Sequence, residues 1–153
     1  MNPFFLKIKN HKEQNLPFVL YSKPNTTNLI GILQQNNTLY TVSDYSERGF
    51  VFASFDEKQL ILIPESESEI ITAEKEVTAF EPVKIDDLNF DPEAKFQYEY
   101  LVAQGINAIK NGEFKKLVLS RCEEVPLTEF DFVETFQHLV QLYPATFCYC
   151  FFH

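Results

Sequence analysis

The residues best suited to chemistry in this 153-residue chain are the cations of Gly112-Glu113-Phe114-Lys115-Lys116-Leu117-Val118-Leu119-Ser120-Arg121. A helical pattern stops there and an apolar, strand-like run begins. Strand side chains alternate between faces, so Lys116, Val118 and Ser120 share one face while Lys115, Leu117, Leu119 and Arg121 share the other. Enclosing the Lys116 face would desolvate its ammonium and lower its pKa, which produces a lysine able to act as a base near neutral pH. Spacing alone favours the other reading, a lysine that points to water at the start of a strand and discourages edge pairing.

The other reactive side chains form no comparable pattern. Ser120 is no nucleophile by itself, because His11, His138 and His153 are remote in sequence and none has a recognisable relay partner. Cys148 and Cys150 would share one side of a strand and with His153 superficially suggest a soft-metal site, but structural zinc needs a turn-like cysteine knuckle and a second ligand pair. The two cysteines therefore read as small buried apolar residues. With four glycines in the chain and none at G-x-G spacing, there is no phosphate-cradling loop.

Several elements must position the lysine. Asp91-Pro92-Glu93 opens a helix, with aspartate as cap, proline at the first position and glutamate at the positive end. Tyr98, Leu101, Val102, Gly105 and Ile109 form its stripe, and Asn111-Gly112 ends it as a left-handed cap. Gly105 on that stripe would either let another backbone approach closely or be a tolerated glycine costing about 1 kcal/mol. After the Lys116 strand, Thr128 is expected to cap a second helix with Glu129 and Asp131 in its first turn. The stripe of this helix is Phe132, Val133, Phe136, Leu139, Val140 and Tyr143, with His138 off it. Phe147–His153 reads as a further apolar strand.

Upstream, residues 4–14 predict a short helix presenting Phe4, Phe5, Ile8 and His11, started by Asn2-Pro3. Phe18–Ser22 and Asn28–Gln34 predict a hairpin. Leu39–Val42 is a further short strand, and Gly49–Phe55 with Gln59–Ile63 predicts a second hairpin. Glu65–Ala79 reads as an acidic surface excursion. Short strands with turn signals at close intervals predict an α+β fold, an antiparallel sheet with helices packed on one face.

Net charge is −9. Between Glu65 and Glu99 eleven acids face three lysines, whereas Leu101 to Arg121 holds Lys110, Lys115, Lys116 and Arg121 against Glu113 alone. An acidic chain with two arginines lacks the electrostatic footprint of a nucleic-acid binder. A small anionic substrate would need a local cation cluster. No run approaches the roughly 18 apolar residues of a membrane span, and the first residues lack the features of a signal peptide. Three cysteines in an ordinary composition suit a reducing cytosol.

Helix, glycine stop and Gly-Glu-x-x-Lys-Leu-Val-Leu-Ser-Arg together resemble the signature of the chorismate-utilising enzymes, most closely the isochorismate synthases. Pro17-Phe-Val-Leu-Tyr-Ser-Lys-Pro-Asn25 and Gly49-Phe-Val-Phe-Ala-Ser-Phe55 are similar to the amino-terminal region of isochorismate synthases of menaquinone-type organisation. Ser54 departs from that pattern, where proline is expected, without touching the chemistry.

The resemblance implies that residues 1–153 are the amino-terminal part of a single, longer chorismate-binding domain, interrupted within a strand at 147–153. It implies a lysine at the position of Lys116 that takes the proton from water attacking C2 of chorismate. It further implies a glutamate as general acid on the departing C4 hydroxyl and Mg2+ held by other glutamates on the ring carboxylate. None of those acidic residues maps onto a position here, so the fragment is expected to be inactive alone and to self-associate through its edge strand. Ammonia-adding relatives show glutamine in place of the lysine, so lysine favours water addition. Salicylate synthases share the lysine, and both menaquinone and siderophore roles stay open. A non-catalytic antiparallel-sheet module that binds a partner is the other reading of the same strands.

Overall fold

The fold was analysed in a computed structural model, which describes residues 2–56, 58–76, 91–122 and 130–153. Two compact units result, one built from the first two of these segments and the last, the other from residues 91–122.

In the first unit, α1 (Pro3–Glu13) starts where Asn2 caps it by accepting from the Phe4 N–H, with proline at the first helical position. Phe4, Phe5, Ile8 and His11 are buried, the stripe expected from their spacing. His11 Nε2 lies 3.1 Å from the Pro17 carbonyl, which satisfies the buried ring at the entry to the sheet.

The strands are β1 (Phe18–Ser22), β2 (Asn28–Gln34), β3 (Tyr40–Thr41), β4 (Gly49–Ala53), β5 (Leu60–Pro64), β6 (Ser68–Glu74) and β7 (Cys148–Phe152). They divide between two antiparallel sheets, ordered β6-β2-β1-β7 and β3-β5-β4, where the sequence had suggested one. The register explains the arrangement. Phe18 pairs with Leu33 and Phe152, and Leu20 with Gly31 and Cys150, so these side chains share one face with Leu29 and Cys148. That face packs against Phe5 and Ile8 of α1 and against Val133, Phe136 and Val140 of α3 (Phe132–Leu142). The intervening residues Val19 and Ile32 point the other way and meet Ile63 of β5, with Tyr21, Phe50 and Phe151 around them. Helices thus cover one face of the larger sheet, as the α+β reading requires, and the smaller sheet covers the other.

Two expectations are overturned. The acidic stretch after Pro64 is not a surface excursion: residues 65–67 form one 3₁₀ turn, and β6 then pairs with β2 along its whole length. Ile71 and Ala73 pack on the core while Glu69 and Glu74 face solvent, the pattern of an edge strand guarded by charge. The cap of α3 is Asp131, whose carboxylate accepts from the Val133 and Glu134 N–H groups. Thr128 and Glu129 lie outside the described residues. Asp131 also pairs with Lys9 of α1, linking the start of α3 to that helix. Along α3, Val133, Phe136 and Val140 are buried, whereas Leu139 and Tyr143 are exposed and His138 lies off the stripe beside Glu134.

The second unit is α2 (Pro92–Lys110) and the chain that returns along it. Asp91 caps α2 by accepting from the Glu93 N–H, as the sequence predicts.

Candidate functional site

Lys116 owes its position to the way α2 stops. Gly112 takes the left-handed conformation at φ 79°, its N–H reaches the Ile109 carbonyl, and the Glu113 N–H reaches back to Ala108, both at 3.0 Å. This pair of bonds is the Schellman closure, which reverses the chain and sends residues 114–122 back along the helix. A side chain at residue 112 would meet nothing, so glycine is there for its backbone conformation alone.

The returning chain docks at Gly105, the one buried residue among the described residues of this unit. A Cβ there would lie 3.0 Å from Leu117 Cδ2 and 3.3 Å from Leu119 Cδ1, so the absent side chain makes room for these two leucines. The Tyr98 hydroxyl lies 3.5 Å from the Leu119 carbonyl, at the limit of a hydrogen bond. Ala94, Tyr98, Val102 and Ala108 are the half-covered positions around Gly105. Leu101 and Ile109, expected on the same stripe, are exposed at 41% and 39%.

The predicted strand at Lys115–Arg121 is not formed: these residues carry no strand or helix. The alternation that defines the faces is present nevertheless. Leu117 and Leu119 turn to the helix, and Val118 between them is 78% exposed. Lys116 and Ser120, of the same parity as Val118, are exposed as well. Lys115, of opposite parity, is exposed too, so burial in this unit does not distinguish the two lysines.

The remaining sequence candidates fall in the first unit. Cys148 is buried in the core with its Sγ 3.7 Å from the Leu139 carbonyl, and Cys150 packs against the same core on the same face. Burial pushes the Cys150 thiol up from its ordinary value, against a weaker opposing pull from Lys12. His153 stacks beside the Phe151 ring at 6.5 Å. Ser54, the departure from the family pattern, donates its N–H to the Gln59 carbonyl at 2.9 Å, a bond that proline could not make. Among the described residues no group of three or more His, Cys, Asp and Glu side chains could hold a metal ion. No helix among the described residues is long and apolar enough to cross a membrane.

The chain thus has a helix ended by a left-handed glycine, a returning segment that carries Lys116, and an antiparallel α+β scaffold. The sequence matches the family of chorismate binding enzymes over residues 8–153, and the chain belongs to that family. No curated protein and no solved structure matches it.

Sequence reasoning missed Asp131 as the α3 cap. The signal was available, because Asp131-Phe132-Val133-Glu134 has the spacing of a capping box.

Proposed function

We propose that this chain is part of an isochorismate synthase and that Lys116 is its general base. Lys116 Nζ accepts a proton from water, the water oxygen bonds to C2 of chorismate, the ring double bonds shift, and the C4–oxygen bond breaks. The departing hydroxyl takes a proton from a general acid, so the net change is an isomerisation. The observation that carries this reading is the match to the family over nearly the whole chain, supported by an exposed Lys116 next to leucines that pack on Gly105. Val118 is of the same parity and 78% exposed, so an apolar surface laid over it would also take Lys116 out of water.

The reading includes a requirement for Mg2+ and for a glutamate acid, neither assigned to a residue described here, and a cytosolic setting. Alone, the 153-residue chain is proposed to be inactive toward chorismate and to self-associate through β7, whose outer edge has no strand partner among the described residues. Turnover of chorismate by the intact protein in oxygen-18 water tests the reaction. The expected product is isochorismate with one labelled oxygen, at C2. Unlabelled isochorismate, or an aminated product in the presence of ammonium, would contradict water addition. Salicylate and pyruvate would instead identify an additional elimination step.

A further inference from the structure

Asn111-Gly112, where α2 closes, is the one place in the chain at which asparagine is followed directly by glycine. Both residues are exposed, so water and hydroxide reach them. The pair has a chemistry of its own. Glycine has no side chain to shield its nitrogen, which on losing its proton can bond to Cγ of Asn111. The bond from Cγ to the amide nitrogen breaks, ammonia leaves, and a five-membered imide is closed. Water then opens the ring at either carbonyl, so that one water is consumed and one ammonia released. The product is aspartate at 111 or an isoaspartyl link, in which the main chain runs through the side-chain carbons.

The folded chain holds the reacting atoms apart. Asn111 has ψ −3°, which turns the Gly112 nitrogen away from the Asn111 side chain. The Gly112 N–H that must give up its proton is bonded to the Ile109 carbonyl at 3.0 Å. Ring closure therefore requires the last turn of α2 to open. Little opposes that opening, because Gly105 is the one buried residue among the described residues of this unit and a Cβ at residue 112 would meet nothing. We infer that Asn111 is a site of spontaneous conversion to an isoaspartyl-glycine link, at a rate set by the opening of the α2 closure. The product cannot close as before. It places a carboxylate at the negative end of the helix and an extra main-chain atom inside the loop that the Gly112 and Glu113 N–H groups close.

The whole chain is kept at mildly alkaline pH, folded in one sample and unfolded by urea in the other. Peptides containing residue 111 are followed by mass spectrometry, with aspartyl and isoaspartyl forms separated by chromatography. The folded chain should convert at Asn111, mainly to isoaspartate, about tenfold more slowly than the unfolded chain. Gly105→Val, which pushes Leu117 and Leu119 away from α2, should bring the folded rate to within about threefold of the unfolded one and leave Asn36 and Asn37 unaffected. The converted chain should lose hydrogen-exchange protection in the last turn of α2 and keep it in β1 and β2. The inference is overturned if the folded chain leaves Asn111 intact over the time in which the unfolded chain converts it. It is overturned equally if the folded and unfolded chains convert at the same rate, or if the converted chain keeps its protection in α2.

Discussion

The two units of this chain differ in what holds them together. In the sandwich, α1, α3 and two sheets enclose Phe18, Leu20, Leu33, Ile63 and Phe136, each almost wholly inaccessible. In the helical unit only Gly105 is buried among the described residues, while Phe96, Tyr100, Ile106, Phe114 and Val118 stand exposed. The segment that carries the candidate base is therefore in the part with least apolar burial of its own. Apolar burial and the candidate base are thus separated along the chain.

Substitutions in the two units should reveal that separation by their size. Phe136→Ala removes a ring from the junction of α3 and the larger sheet and should destabilise the sandwich by ~3–5 kcal/mol in denaturant unfolding. A loss below ~1 kcal/mol would mean that the core is not closed around it. Gly105→Val drives branched carbons into Leu117 and Leu119 and should cost ~1–3 kcal/mol, but locally. Hydrogen exchange in α2 should accelerate while amides of β1 and β2 keep their protection. Equal acceleration in both units would erase the distinction between them.

Asp131→Ala should cost ~1 kcal/mol through the lost cap. The carboxyl of Asp131 is held below its ordinary pKa, chiefly by the Lys9 side chain. A depressed folded-state pKa contributes stability that is present above the unfolded value near ~4 and is lost as pH falls through the folded value. Asp131→Asn should keep most of the cap, lose the charge, and flatten the fall in stability on acidification. The smallest effect belongs to Val118→Ser, expected to lie within ~0.5 kcal/mol because the side chain touches so little in this chain. A large loss there would show that Val118 is already covered.

The same contrast governs what was legible in the sequence. α1, the β1–β2 and β4–β5 hairpins and the ends of α2 could be read because caps, turn residues and periodicity are local. β6 was hidden because its exposed positions are acids and an exposed Ile70, which blur the alternation of Ile71 and Ala73. The division into two sheets depends on β1 pairing with β7, some hundred and thirty residues away, which no local pattern encodes. At the candidate site the alternation is kept by the apolar residues, with Leu117 and Leu119 toward Gly105 and Val118 exposed, while Lys115 and Lys116 are both exposed. The strand was wrong because a ladder needs a partner, and here Gly105 and two leucines set the orientation instead.

The central claim is that the side of the segment bearing Lys116 is the reactive one, and the paired substitutions Lys116→Ala and Lys115→Ala test it most directly. In the intact protein, Lys116→Ala should lower kcat for chorismate by ~10²–10⁴-fold with little change in KM, the loss expected for a general base. Lys115→Ala, of opposite parity, should leave kcat within a few-fold of the parent. Equal losses from the two substitutions, or a greater loss from Lys115→Ala, would contradict both the face assignment and the role of Lys116.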